Sequence, residues 1–366
     1  MRPPFRADHV GSLLRPGDLK QVRADFSKQK IPLEELRRLE EDRIREVIAM
    51  QEAAGLHSVT DGELRRAFWH VDFLTGLDGI VATQSQYALK FHGAGGEESE
   101  TRSMMVVNGK VKRTKPVMVD HFSFLKATTK KTAKLCIPAP TYMHMRGGRK
   151  VVDASVYPDI DEFWADITRA YQEEIADLAA AGCTYLQIDD VSFATLCDEG
   201  IRAQVRRDGE DPDRLPSFYA SVISGLLESK PESMGVTMHT CRGNHASMWM
   251  AEGGYDAVAE GIFQTAVDGF FLEYDTARAG GFEPLRHVPR GKKVVLGLIS
   301  TKKRELESKT ELKRRIDEAA KFVPLEDLCL SPQCGFASSE VGNKLSEDDQ
   351  KRKLELAVQV AKEVWG

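Results

Sequence analysis

The chain has 366 residues, 42% of them hydrophobic, with 51 basic against 56 acidic side chains and a formal net charge of -5. That length and apolar content allow a large buried core as two domains or as one α/β barrel; one barrel over residues 1–366 is preferred, since no linker, low-complexity tract or repeat divides the chain. The charge balance gives no electrostatic reason to expect nucleic acid or an anionic membrane as partner, which leaves small molecules.

The opening MRPPFRADHVGS lacks the apolar run of a signal peptide, and no stretch of about 18 apolar residues is present to span a membrane, so the expected location is the cytoplasm. Cys136, Cys183, Cys197, Cys241, Cys329 and Cys334 are too sparse for a disulfide scaffold and are expected as thiols. In chain order, short apolar segments end near His9–Ser12, Ser58–Glu63, Leu135–Pro138, Tyr185–Asp190, Val236–His239, Phe270–Glu273, Val294–Gly297 and Leu328–Ser331. Helical patterns lie between most of them. One carries Ile160, Phe163, Trp164, Ile167, Tyr171, Ile175 and Leu178 on one stripe and stops at Gly182. Another starts at a capping-box-like Ser346–Asp349 and is expected to bury Leu354, Ala357, Val358 and Ala361. The alternation and the strand number predict an α/β fold, a single (β/α)8 TIM barrel. A polar stretch of roughly residues 80 to 132 interrupts the rhythm between the second and third strands and is read as a hairpin-like insertion able to fold over the barrel mouth.

Barrel closure would gather His9–Ser12, Glu63, Asp189, His239, Cys241, Glu273 and Cys334 at the carboxyl end, where barrel enzymes place their chemistry. His239 and Cys241 are two apart, so on extended backbone they project to one side and can grip one ion. With Glu273 and Cys334 they make a mixed nitrogen, sulfur and oxygen set suited to zinc. Ligands so far apart in sequence need a whole fold to converge, which favours a catalytic metal over a local structural module. Two thiolates and a carboxylate damp the Lewis acidity of the ion and keep a bound substrate sulfur electron-rich. An open coordination position requires the substrate to displace Glu273 or another weakly held ligand, or the coordination to expand. Glu63 and Asp189 form a second constellation fit for a substrate ammonium, and Ser12 with the Val10–Gly11 backbone for a carboxylate. Asp190 faces the other side of its strand and is assigned to structure. His9 and His144 fall near strand ends, Arg242 and Asn244 are expected to orient a loop, and KRTK and TKKRE are expected as solvated faces.

HVGS, DGE, QIDD, HTCRGN, FLEYD, LGLIS and LSPQCGFAS occur in one order along nearly the whole chain. In these motifs the chain resembles the catalytic domain of cobalamin-independent methionine synthases, and more closely the half-length methionine-synthase-like proteins. The resemblance implies a (β/α)8 barrel, zinc on His239, Cys241, Glu273 and Cys334, and homocysteine contacts from Ser12, Glu63 and Asp189. It implies methyl transfer to the homocysteine thiol, giving methionine. The candidate donors are methyltetrahydrofolate and a methylated corrinoid, the latter free or on a carrier protein. Folate-using relatives place a histidine acid after the seventh strand. Here that segment reads LGLISTKKRE, with Thr301 and Lys302 in its place; Lys302 is the candidate proton donor, although an ordinary lysine is a weaker acid at pH 7. An alternative is alkyl transfer to another thiol, such as epoxide addition to coenzyme M, whose sulfonate would call on arginines such as Arg15, Arg65 and Arg66. A third reading is a zinc-binding or sensor protein without catalysis.

Overall fold

The computed structural model describes residues 2–366, the side chains of Gln86 and Tyr87 excepted. Its strands are β1 (Ser58–Val59), β2 (Asp78–His92), β3 (Glu98–Lys112), β4 (Thr132–Pro138), β5 (Tyr185–Asp190), β6 (Gly235–Thr240), β7 (Gly269–Glu273), β8 (Lys293–Ile299) and β9 (Leu328–Pro332). Seven of them form one parallel sheet in the order β1-β4-β5-β6-β7-β8-β9. Strands β5 and β7 are buried at every position, as expected of a parallel sheet covered on both faces. Runs such as YLQI and GFFL, buried throughout, therefore serve as strands although they do not alternate.

The helices on the outside follow from local chemistry. Asp159 caps Ile160–Ala180 by accepting from the Asp161 amide, and the helix buries Phe163, Ile167, Tyr171, Ile175 and Leu178. Gly182 follows it with φ +88°, a left-handed conformation that glycine adopts without a Cβ clash. At the other end of the chain, Ser346 and Asp349 form a reciprocal capping box for Glu347–Trp365, which buries Leu354, Ala357, Val358 and Ala361. Among the described residues no helix is long and apolar enough to cross a membrane.

Three expectations need correction. The segment at His9–Ser12 is not a strand. Gly11 turns the chain at φ +137°, so this region meets β9 only through an isolated bridge from Ala7 to Leu330. The Asp8 amide donates to the Leu330 carbonyl (3.0 Å), while the Leu13 amide donates to Gly62 beyond β1 (3.0 Å). One short segment thus touches both edges of the sheet, which means that the sheet is curled. Asp8 fastens this arrangement from inside: it accepts from Ser58 of β1 (3.0 Å) and Tyr185 of β5 (2.8 Å) and pairs with fully buried Lys134 of β4 (3.2 Å). An ion pair so deep is tolerable because each charge has further hydrogen-bond partners.

The excursion also has different bounds. β2 and β3 form an antiparallel hairpin that ends at Lys112. The remainder, up to residue 132, contains the helix Val119–Thr128, which buries Phe122 and Leu125 and restores the β-α rhythm. Nor is KRTK wholly a solvated face: Arg113 is largely buried and pairs with Glu174 and Asp177, each at 2.6 Å.

Gly11 is the position where this geometry is least tolerant. A Cβ there would lie 2.6 Å from the Cys136 sulfur, on a backbone conformation that side chains rarely adopt. Gly11→Ala is expected to destabilise the fold by on the order of 1–3 kcal/mol. Urea unfolding of the purified variant against the parent measures it, and an unchanged midpoint would contradict the account.

Candidate functional site

The carboxyl ends of the central strands deliver one group after another to the same place. His239 lies near the end of β6, Cys241 follows that strand, Glu273 closes β7, and Cys334 stands just past β9. One atom from each of these four side chains lies within 4.8 Å of all the others, and all four side chains are buried. The two sulfurs are 3.4 Å apart. Both ring nitrogens of His239 and Oε2 of Glu273 are buried without a hydrogen-bond partner among the described residues. Buried polar atoms are normally paired, so this concentration of unpaired ones marks a place built for something else to bind.

Surrounding residues hold the loops. The Cys241 amide donates to the Asp190 carbonyl (2.7 Å), and the Asn244 side-chain amide donates to the Gly335 carbonyl (2.9 Å), tying the two cysteine loops together. Arg242, fully buried, places its guanidinium 4.5 Å from the Tyr255 ring centre. Both CRGN residues thus orient the loop, as the sequence suggested. The hydrogen bond from Cys334 and the nearby His239 hold the Cys241 thiol well below its ordinary range despite burial. Its partner Cys334 is correspondingly pushed up, by that hydrogen bond and by burial. Burial works against protonation of His239, but the Cys241 sulfur, Asp189 and Glu273 outweigh it and raise the imidazole.

A second cluster adjoins the first. Glu63, Cys136 and Asp189 also bring donor atoms within 4.8 Å of one another, and Asp189 is in register with His239 across β5 and β6. Cys136, expected as a plain core thiol, is buried but stands between two acids and donates to the Val10 carbonyl (3.2 Å). Glu63 occupies a left-handed φ of +57°, held there by Arg15, which donates to the Glu63 carbonyl (3.0 Å), and by Arg66, whose guanidinium lies 3.7 Å from the carboxylate. Burial pushes the Glu63 carboxyl up to about 7, against the pull of Arg66 and with a push from Asp189. Burial also raises Asp189, which accepts from Gln187 at 2.6 Å. Asp190 is structural as expected, accepting from Thr141 (2.7 Å) and the Phe193 amide (2.9 Å).

Both clusters open onto one cleft of about 110 Å³. That is room for a small organic ligand, several times the space of one water. Val10, Ser12, Glu63, Asp189, His239, Cys241 and Cys334 line it, whereas Gly11, Glu273 and Lys302 do not. Lys302 is half-buried, and its charge is felt by Cys241, Glu273 and Cys334. It is a counter-charge to the donor set. His9 is buried away from the cleft, and His144 bonds Tyr219 (2.9 Å). The sequence reading missed an aromatic wall of Phe68, Trp69, His70, Phe91 and Tyr142. The run AFWH directly after DGELRR was the available signal.

A family model described as "Cobalamin-independent synthase, Catalytic domain" matches residues 5–363. The chain belongs to that family. Two uncharacterized proteins of Bacillus subtilis (strain 168), YxjG and YxjH, are each 43% identical over 367 residues, spanning 100% of this chain and 96% of theirs. The crystal structure of a candidate vitamin-B12 independent methionine synthase from Listeria monocytogenes superposes with a TM-score of 0.79 at 37% identity, covering 100% of this chain and 99% of that one. The 5-methyltetrahydropteroyltriglutamate–homocysteine methyltransferase of Thermotoga petrophila is 23% identical over 341 residues. This chain spans only 42% of that enzyme's length.

The raised carboxyl of Glu63 has a consequence for stability. Its folded-state pKa of about 7 lies above the ordinary value of 4.5, so the folded protein holds a proton that the unfolded chain releases. Stability from this group is therefore present below pH 4.5 and lost as pH rises towards 7, by up to about 1.4 kcal/mol per pH unit for one proton. Glu63→Gln is expected to flatten that part of the stability-pH curve. Parallel curves for parent and variant between pH 4.5 and 7 would contradict the assignment.

Proposed function

We propose that this protein transfers a methyl group to the thiol of homocysteine, giving methionine, with zinc held by His239, Cys241, Glu273 and Cys334. The observation that carries the reading is the convergence of those four buried donor atoms within 4.8 Å, unpaired nitrogen and oxygen included, beside a carboxylate pair. The set fits zinc by chemistry: two sulfurs, one imidazole and one carboxylate are ligands that zinc accepts together. Zinc bound there would supply the charge that keeps a coordinated sulfur deprotonated at neutral pH.

The chain's own groups hold the amino acid. Asp189 and Glu63 accept hydrogen bonds from its ammonium, whose positive charge favours the ionised form of both carboxyls against the burial that raises them. The carbonyls of Val10 and Gly11 are already engaged by Gln187 (2.6 Å) and Thr60 (2.6 Å). What the segment offers a substrate carboxylate is therefore its amide hydrogens and the Ser12 hydroxyl. Held at both ends, the substrate has its sulfur directed to the Cys241–Cys334 side of the cleft, and this alignment is the main source of acceleration. The same proposal takes residues 1–366 as one domain and the curled sheet as a (β/α)8 barrel, with residues 6–13 standing where an eighth strand would close it. The homocysteine methyltransferase activity in the name of the Thermotoga petrophila relative supports the acceptor.

The arginines weigh against a sulfonate thiol such as coenzyme M. Arg15 spends its guanidinium on the carbonyls of Leu13, Glu63, Arg66 and Ala337, Arg66 on those of Cys136 and on Glu63, and Arg65 lies over the Phe124 ring at 4.7 Å. Among the described residues lining the cleft there is no lysine or arginine.

Cys241→Ser and Cys334→Ser are each expected to lose zinc and methyl transfer together, read by elemental analysis and by methionine formation. Full activity in either variant would overturn the metal assignment. Asp189→Asn should retain stoichiometric zinc while its KM for homocysteine rises by on the order of tenfold or more, the worth of a charged hydrogen bond. Stoichiometric zinc without methylation of homocysteine from any donor would leave a binding protein and overturn the function.

A further inference from the structure

Resting on the methyl-transfer reading above, we infer that the methyl donor is a small methyl onium, a sulfonium or a quaternary ammonium, received against the aromatic wall of the cleft. Phe68, Trp69 and Tyr142, with Phe91 of the hairpin, line the cleft together with Glu63 and Asp189. The rings of Trp69 and Tyr142 have centres 5.3 Å apart and planes at 77°. The two rings pack edge to face and both line the cleft, where aromatic π systems attract a methylated cation. His70 continues the wall with its ring 4.2 Å from Tyr142, and burial, together with the nearby Arg146 guanidinium, holds its pKa down to about 3, so the imidazole itself adds no positive charge.

Charge points the same way. The cleft presents carboxylates, and among its described lining residues no ammonium or guanidinium. A polyglutamylated donor would bring several carboxylates to this field without a partner for them. A cation gains from both the rings and the acids.

The chemistry balances without an acid. The acceptor sulfur, as thiolate, forms a bond to the methyl carbon as the bond from that carbon to the positive sulfur or nitrogen breaks. The breaking pair stays on the departing atom, which leaves as a neutral sulfide or amine. No proton moves, which removes the need for the histidine that folate-using relatives carry and that Lys302, set outside the cleft, does not replace.

The test uses the full-length, zinc-loaded protein with trimethylsulfonium, tetramethylammonium, methyltetrahydrofolate and methylcobalamin as separate probes. Calorimetry without thiol reads binding; mass spectrometry with homocysteine reads methionine together with dimethyl sulfide or trimethylamine. At least one onium is expected to bind and to yield methionine, the two arms separating sulfur from nitrogen donors. Trp69→Leu should weaken onium binding by roughly tenfold, while Trp69→Phe, which keeps a π face, should retain most of it. Absence of onium binding to the parent protein, equal binding by Trp69→Leu, or methionine formed only from methyltetrahydrofolate or methylcobalamin would overturn the inference and leave homocysteine methylation standing. Trp69-dependent onium binding with no methionine from any probe would support the onium pocket and overturn the acceptor.

Discussion

The molecule is organised around an electrostatic constraint: two sulfurs 3.4 Å apart share a buried space with a carboxylate. In a low-dielectric interior such a gathering of potential anions is costly unless positive charge answers it. The protein supplies part of that answer itself. Arg278 lies 3.6 Å from Glu273, Lys302 stands behind the set, and the protonation of His239 is favoured by the surrounding negative charge. The remaining demand suits a cation with affinity for sulfur and nitrogen. Because the four groups come from the ends of three strands, β6, β7 and β9, the site exists only once the parallel sheet has its register. Metal affinity and folding are thus expected to be linked in this chain.

The substrate side shows a different use of burial. Glu63 is placed by a backbone conformation that a glutamate rarely adopts, and such a conformation persists only where the surroundings over-determine it. Arg15 donates to carbonyls on both sides of that turn, and Arg66 reaches across to the Cys136 carbonyl of β4 (2.5 Å). These two cations are structural fasteners. Their hydrogen bonds to backbone oxygens keep them out of the cleft lining, although Arg66 still lies 3.7 Å from the Glu63 carboxylate.

What could be read from sequence follows from what is local. β5, β6 and β7 were legible because each is an apolar run that stops at a polar motif, and the helix over 160–180 because Asp159 and Gly182 punctuate it. The four donor residues were legible because their side chains have few other uses in one cleft. The segment at His9–Ser12 misled because its conformation depends on Gly11 meeting Cys136, a contact 125 residues away in sequence that no local pattern encodes. The polar run over 112–115 hid the approach to the helix at Val119, since Arg113 is neutralised by Glu174 and Asp177 only in three dimensions. Phe68, Trp69 and His70 belong to no periodic element, so their common facing could not be derived from spacing.

The hairpin gives the two halves of the cleft a physical connection. His92 at the end of β2 exchanges backbone hydrogen bonds with Trp249 (2.7 and 3.0 Å), a residue of the loop that begins with Cys241. The ring of Trp249 lies 4.9 Å from the Arg278 guanidinium, and Arg278 faces Glu273. The strand whose Phe91 lines the cleft is therefore continuous, through packed and hydrogen-bonded groups, with a carboxylate of the donor set. A hairpin attached in this way cannot move from the cleft without breaking its pairing with the Trp249 backbone, so the cleft lining and the environment of Glu273 share an element. Such sharing suits a two-substrate reaction, in which the aromatic wall and the donor set must face each other across one small, water-poor space for the methyl carbon and the sulfur to come into line.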